Sequence, residues 1–241
     1  MKLHRFFIAP QMFSGRFAII NDAEIAKQIS KVLRLQPGDE IMLLDGDGFE
    51  YITRIVKVGS KEVQAEILKR HVNGNEPLLK IALYQSIIKK DNFEWVLQKC
   101  TEVGASSYVP IRSERSEKQN LNAPRMQKIL REAAEQSERA IVPPLQEPQE
   151  FLKALQRSAL TGVPTVVLHP QGDPIKGYAK NRDLFELNMF VGPEGGFSDA
   201  EIDAARELRA NGGQVDVLSL GPRVLRAETA GLVAAALMLN R

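Results

Sequence analysis

The sharpest constraint on this chain is a break in patterning at His71–Pro77 (HVNGNEP), where Asn, Gly and Pro crowd together and neither strand nor helix periodicity continues. Before it, apolar residues alternate with polar ones. After it, short apolar runs alternate with amphipathic helical segments. One layer of structure cannot satisfy both patterns, so two domains are expected, 1–72 and 73–241, and 241 residues at 44% hydrophobic composition can supply both cores.

In the first domain, IMLLD and FEYITRIV flank the turn DGDG (Asp45 to Gly48), which reads as a hairpin, and KEVQAEIL alternates in the next strand. Ile25, Ile29, Val32 and Leu33 recur at helical spacing after a cap at Asn21 or Asp22. The expectation is a small β-barrel with one inserted helix.

The second domain has α/β syntax. LLKIALYQS reads as a buried strand, DNFEWVLQKCTEVG as a helix, YVPI as a short strand and NAPRMQKILREAAEQSER as a second helix, followed by IVPPLQEP as a connection. In the first helix Asp91 is the expected N-cap, Phe93, Val96, Leu97, Cys100 and Val103 share one stripe, and Gly104 is the stop. TVVLH, LNMFVG and QVDVLSLG read as buried parallel strands whose carboxyl ends face one crevice.

Several chemistries are excluded by what is missing. Cys100 is the only cysteine, so no internal disulfide can form, and its place on an apolar stripe makes it a packed thiol rather than a nucleophile. His4, His71 and His169 lack the spacing of a zinc site, so no metal is expected. No apolar run reaches the roughly 18 residues of a membrane span, and the start MKLHRFFIAPQMF lacks a signal-peptide pattern, so a cytoplasmic protein is expected. Net charge is only +2, with the positive surplus in the first half; that permits a nucleic-acid surface without requiring one.

Ligand chemistry concentrates in VGPEGGFSDAEI (Val191 to Ile202). A strand ends at Val191, a Gly-Pro-Glu-Gly-Gly loop follows, and Ser198 and Glu201 form a capping box opening a helix. Glycines admit close approach to the backbone, and the helix start suits an anionic or strongly polar group. The spacing fits neither the phosphate-binding GxxxxGK[ST] loop nor the dinucleotide GxGxxG fingerprint. A second segment, LSLGPRVLRAETAGLVAAALML (Leu218 to Leu239), ends in an almost wholly apolar helix that must be buried, which puts Arg223, Arg226 and Glu228 at the edge of a core. Taken alone, both segments are open to structural readings: a tight turn, and an Arg–Glu pair at the start of the last helix.

Together they resemble the two signature segments of the RsmE family, N3-specific uridine methyltransferases of bacterial small-subunit ribosomal RNA. QSIIKKDNFEWVLQKCTEVGASSYVPIRSERS, REAAEQSERAIVP and HRFF resemble further segments of that family, so the resemblance spans nearly the whole chain. It implies an α/β protein with a PUA-like amino-terminal RNA-binding β-barrel and a carboxy-terminal SPOUT domain with a deep trefoil knot. The implied cofactor is S-adenosylmethionine, the implied partners are 16S ribosomal RNA in the small subunit (family position uridine 1498) and a second copy of the chain. Carried over residue by residue, the cofactor pocket comprises Leu168, His169, Val191, Gly192, Pro193, Gly195, Gly196, Leu218, Ser219, Leu220, Gly221, Val224, Leu225 and Ala227.

Methylation at N3 requires a positioned methyl donor and removal of the N3 proton. Glu194 or Glu228 is the candidate base, with Arg115, Arg223 or Arg226 as electrostatic partner. Arg5, Arg34, Lys89, Lys90, Arg112 and Arg115 are the candidate RNA contacts. Two other classes stay open: a non-catalytic RNA-binding ribosome-assembly protein, and an enzyme holding a nucleotide or phosphate at Gly195–Gly196.

Overall fold

The structure is a computed structural model that describes residues 3–117, 120–178 and 182–240. The chain divides into two compact units, Met1–Glu76 with Ala134–Val142, and Pro77–Ala133 with Pro143–Arg241.

The first unit is a six-stranded sheet built from β1 (His4–Phe7), β2 (Phe13–Ser14), β3 (Phe17–Ile20), β4 (Glu40–Leu44), β5 (Phe49–Val58) and β6 (Val63–Val72), in the order β1-β4-β5-β6-β3-β2. β1 lies parallel to β4 and the other pairs are antiparallel. The DGDG segment joins β4 to β5, with Gly46 and Gly48 at φ 86° and 91°, where L side chains are strained. Between β3 and β4 sits α1 (Ala23–Lys27), and Asp22 is its cap, accepting from the Glu24 and Ile25 amides at 2.9 and 3.1 Å. The helix continues as a wider π turn over Gln28–Val32. Of the residues read from sequence at helical spacing, Ile25 and Ile29 are buried and Leu33 packs against the same core, whereas Val32 is 69% exposed.

Phe6, Ala18, Ile20, Ile41, Leu43, Ile55, Val63 and Ala65 from five strands meet Ile25, Ala26 and Ile29 in one core, so the sheet curls around the helix. The alternate residues Phe7, Met42 and Leu44 point the other way and are buried too, against Ala134 and Ala140. Burial on both faces is why IMLL reads as a continuous apolar run rather than an alternation. The second cover comes from the returning segment. There Glu135 accepts from the Phe7 amide at 3.0 Å, and Glu138, at φ 61°, turns its carbonyl toward the side-chain amides of Asn73 and Asn75, each at 3.0 Å. The division of the chain therefore differs from the expected 72/73 boundary: it falls at Glu76/Pro77, and residues 134–142 rejoin the first unit. Helical periodicity could not separate the two ends of one helix, α3 (Ala123–Gln136).

The second unit is a parallel sheet of β7 (Lys80–Ser86), β8 (Ser107–Arg112), β9 (Gln149–Glu150), β10 (Thr165–Pro174), β11 (Glu186–Val191) and β12 (Val215–Ser219), ordered β12-β10-β11-β7-β8-β9. α4 (Phe151–Leu160) and α5 (Asp199–Ala210) cover one face through Phe151, Leu155, Ile202 and Ala205, packed on Val109, Val167, Phe190 and Val217. α2 (Lys90–Val103) packs with α6 (Ala227–Leu239), and Tyr108, next to Val109 in β8 and so on the opposite face, donates to the Leu97 carbonyl of α2 at 3.1 Å. α6 lies close to β7: a Cβ on Gly231 would come 3.2 Å from the Gln85 Oε1. Two details of α2 depart from expectation. Lys89 rather than Asp91 is its N-cap, leaving Asp91 in the first turn where its charge favours the helix dipole, and Thr101 rather than Val103 completes the buried stripe. Gly104 ends the helix at φ 110°, as its position required. Cys100 is fully buried, and burial pushes its thiol up to about 12, so it is a packed thiol and not a nucleophile. Among the described residues no helix is long and apolar enough to cross a membrane.

Candidate active site at three strand ends

The carboxyl ends of β10, β11 and β12 converge, each by a different device. β10 leaves its ladder after Leu168 and rejoins it at Asp173, both opposite Leu218 of β12, so His169–Gly172 stand out as an arch. Gly172 makes this possible, since a Cβ there would come 2.6 Å from the Leu218 carbonyl carbon. β11 runs into the glycine loop, where Gly196 adopts φ 69° and donates its N–H to the Pro193 carbonyl at 2.9 Å. β12 ends at Ser219, whose hydroxyl accepts from the Gly221 amide at 3.2 Å.

The glycine loop is fixed from several sides. Ser198 caps α5 in the expected capping box, with its amide donating to Glu201 at 2.9 Å. The other Glu201 oxygen accepts from the Glu114 amide at 2.9 Å, which ties the loop after β8 to the same helix start. Arg115 donates to the Gly195 carbonyl at 2.9 Å, and the Lys89 amide donates to Glu194 at 3.3 Å. A loop held at both shoulders presents its backbone at low ordering cost to a ligand.

Between these strand ends lies a cavity of about 350 Å³, within the range typical of small-molecule sites. All the pocket residues expected from the resemblance line it except Leu218, which is buried beneath the arch at 3% exposure. Pro170, Gln171, Phe197, Asp199 and Ala230 also line it. Phe197 and Asp199 were legible as parts of the glycine-loop segment, whereas Pro170 and Gln171 belong to an arch with no periodic signature.

The charged candidates separate. Glu194 and Arg223 line the cavity; Arg226 is the N-cap of α6 and does not. Glu228, in the first turn of that helix, is 9% exposed, and among the described residues its Oε2 has no hydrogen-bond partner, as is also true of the Gln85 Oε1. Arg115, expected as an RNA contact or as an electrostatic partner at the site, lines the cavity, held to Gly195. Lys89 and Lys90 are exposed at the start of α2, and Arg112 is exposed beside Glu150 at 3.8 Å. In the first unit Arg34 is exposed at φ 56°, while Arg5 is half-buried with its side chain paired to Glu50. Arg5 lies on the Phe7 face of β1, and its guanidinium is paired with Glu50 under the returning 134–142 segment, where it serves as a structural cation.

His169 sits on the cavity wall with its Nδ1 accepting from the Gln171 amide at 3.3 Å. Burial lowers its pKa, helped by the positive charge of Arg206 and opposed by Asp199, so the imidazole is neutral at pH 7. A neutral ring is compatible with a cationic ligand.

A small curved β-sheet unit preceding a parallel-sheet unit with a strand-end cavity defines a class, and the family comparisons agree: residues 75–239 match the RNA methyltransferase domain and residues 20–68 the RNA methyltransferase PUA domain. The chain is 34% identical to the ribosomal RNA small subunit methyltransferase E of Synechocystis sp., covering 97% of this chain and 76% of the relative. It is 31% identical to that of Bacillus subtilis, covering 88% and 85%. The crystal structure of a ribosomal RNA small subunit methyltransferase E from Neisseria gonorrhoeae bound to S-adenosyl methionine superposes with a TM-score of 0.89 at 30% identity, covering 99% of this chain and 98% of that one. The chain belongs to the ribosomal RNA small subunit methyltransferase E family.

Proposed function

We propose that this protein transfers a methyl group from S-adenosylmethionine to N3 of a uridine in 16S ribosomal RNA, at the family position uridine 1498, acting in the cytoplasm as a homodimer on the small ribosomal subunit. The observation that carries the reading is the cavity at the ends of β10, β11 and β12, walled by the arch, the glycine loop and the apolar Leu220, Leu225 and Ala227. Its chemistry fits the cofactor: main-chain groups of the loop can read polar edges, apolar side chains exclude water, and the histidine on its wall is uncharged. The deep trefoil knot belongs to the same proposal. Its support is the path of the chain, which adds β12 at the sheet edge beyond β10 and then returns with α6 to pack on α2, β7 and β11.

S-adenosylmethionine, when bound, supplies an electrophilic methyl group whose departure leaves a neutral thioether. The protein's share is positioning, proton removal and charge balance. Glu194 takes the N3 proton in this reading, which is supported by its lining the cavity, whereas Glu228 does not line it and is buried. The hydrogen bond from the Lys89 amide holds Glu194 in place as a carboxylate acceptor. Arg223, at the cavity rim, offsets the negative charge that spreads onto the uracil oxygens as N3 loses its proton. Glu194→Gln is expected to keep S-adenosylmethionine affinity within about twofold by calorimetry and to lose about 100-fold or more in methyl transfer to small-subunit RNA. Full turnover removes Glu194 from the mechanism. Product digestion and mass spectrometry should yield 3-methyluridine, and a wild-type chain with no saturable cofactor binding would return the reading to a non-catalytic RNA-binding protein.

A further inference from the structure

The arch His169–Gly172 contributes His169, Pro170 and Gln171 to the cavity, yet the ladder holds it only at its feet, Leu168 and Asp173. Its outgoing leg carries a fastening of another kind. Ile175 donates its amide to the Ser219 carbonyl at 2.9 Å, and the Tyr178 amide donates to the Ile175 carbonyl at 3.0 Å. The Tyr178 hydroxyl then donates to Asp216 Oδ2 at 2.7 Å. Arg182 reaches the same oxygen at 3.0 Å with its guanidinium stacked 4.1 Å over the Tyr178 ring, and Arg209 from α5 reaches Asp216 Oδ1 at 3.1 Å and Asp173 at 3.5 Å. Asp216 is 9% exposed and lies in β12, three residues before Ser219, which lines the cavity. One buried carboxylate thus gathers the strand under the arch, the leg of the arch and the neighbouring helix. Burial, and then the hydrogen bond to Asp216, push the Tyr178 phenol up, so it stays a donor throughout the neutral range.

We propose that Asp216, gripping Tyr178, Arg182 and Arg209, is a positioning clamp that sets the His169–Gly172 wall of the cavity and thereby the affinity for the methyl donor. The donor's identity rests on the function proposed above; the clamp itself does not. Asp216 touches no reacting atom, so its loss should loosen the wall and weaken cofactor binding while sparing the chemical step at saturation.

The test uses the full chain with Asp216→Asn and Tyr178→Phe, and Asp203→Asn as a control that removes only an exposed pair with Arg206 on α5. Amide hydrogen exchange at Gln171, Gly172, Asp173 and Ile175 should quicken about tenfold in Asp216→Asn, less in Tyr178→Phe, and stay unchanged in the control. The KM for S-adenosylmethionine should rise about tenfold in Asp216→Asn, with kcat and the KM for RNA within about twofold of wild type. Unchanged exchange at the arch overturns the clamp, and so does an equal loss in kcat and both KM values. Should Asp216→Asn fail to fold, Tyr178→Phe decides alone: unaltered exchange and KM overturn the proposal. If exchange quickens as expected but the wild type binds no S-adenosylmethionine, the clamp stands and the methyl-donor reading falls.

Discussion

Arg5 is where the sequence and the structure make opposite predictions, and substituting it with alanine separates them. As an RNA contact, its loss would weaken binding by a phosphate's worth and leave stability alone. In the structure its guanidinium is hydrogen-bonded to Glu50, which is 6% exposed and also accepts from Asn73 and, at 2.8 Å, from His71. Burial pushes the Glu50 carboxyl up, but the hydrogen bonds of Arg5 and Asn73 and the charges of Arg5 and His71 bring it below the usual carboxylate value. Removing Arg5 leaves that carboxylate without its main counter-ion, at a cost of 3 to 5 kcal/mol for a buried pair; the remaining donors place it near the lower end, about 3 kcal/mol.

For a unit of this size each kcal/mol moves the midpoint by at least about 4 °C, so Arg5→Ala should melt the first unit about 12 °C earlier by circular dichroism. Adding Glu50→Gln to Arg5→Ala should recover most of the loss, because a neutral amide needs no counter-ion. The acid limb checks the sign. A carboxyl with a lowered folded pKa contributes stability that is present above about 4.5 and lost as pH falls through its lower folded value, so Arg5→Ala should flatten that limb. Stability within about 0.5 kcal/mol of wild type, together with a tenfold loss of RNA affinity, would refute the structural assignment.

Two further outcomes are expected beside the Glu194 and Asp216 tests. Gly172→Ala places a Cβ 2.6 Å from the Leu218 backbone, so the arch must lift; cofactor affinity should fall about tenfold with only about 1 to 3 kcal/mol lost in melting, and wild-type affinity would refute the close approach. The folded pKa of His169 lies below 6.5, so on acidification the unfolded chain takes up its proton first and stability drains away below that pH. His169→Gln should lose less stability than wild type as pH falls below about 6.5 in thermal melts, and parallel curves would contradict the burial of the ring.

How much was legible follows from the range of each signal. The hairpin at Asp45–Gly48, the stop at Gly104 and the capping box at Ser198 are written in residues a few positions apart, and each is formed as read. The glycine loop and the β12 end declare themselves by residues that favour turns, but that they and Leu168, His169, Val224, Leu225 and Ala227 form one cavity wall came from the family resemblance, not from local pattern. The arch was not legible, because Gly172 is required by Leu218, forty-six positions away in the chain, and no local periodicity records that approach. The π turn that swings Val32 outward is likewise invisible to a pattern that assumes one helical period.

The sequence by itself determined the two patterns, the break between them, the family and the segments that meet at the cavity, because these depend on side-chain type and short spacing. Tertiary structure alone decided how charges are used. Arg5 became an internal counter-ion, Arg115 a brace for Gly195, Asp216 the hub of a clamp, and Glu228 a buried neighbour rather than a wall of the cavity. A charged residue reads the same in sequence whether it faces water or a buried partner; desolvation and pairing are settled only when distant strands and helices close around it.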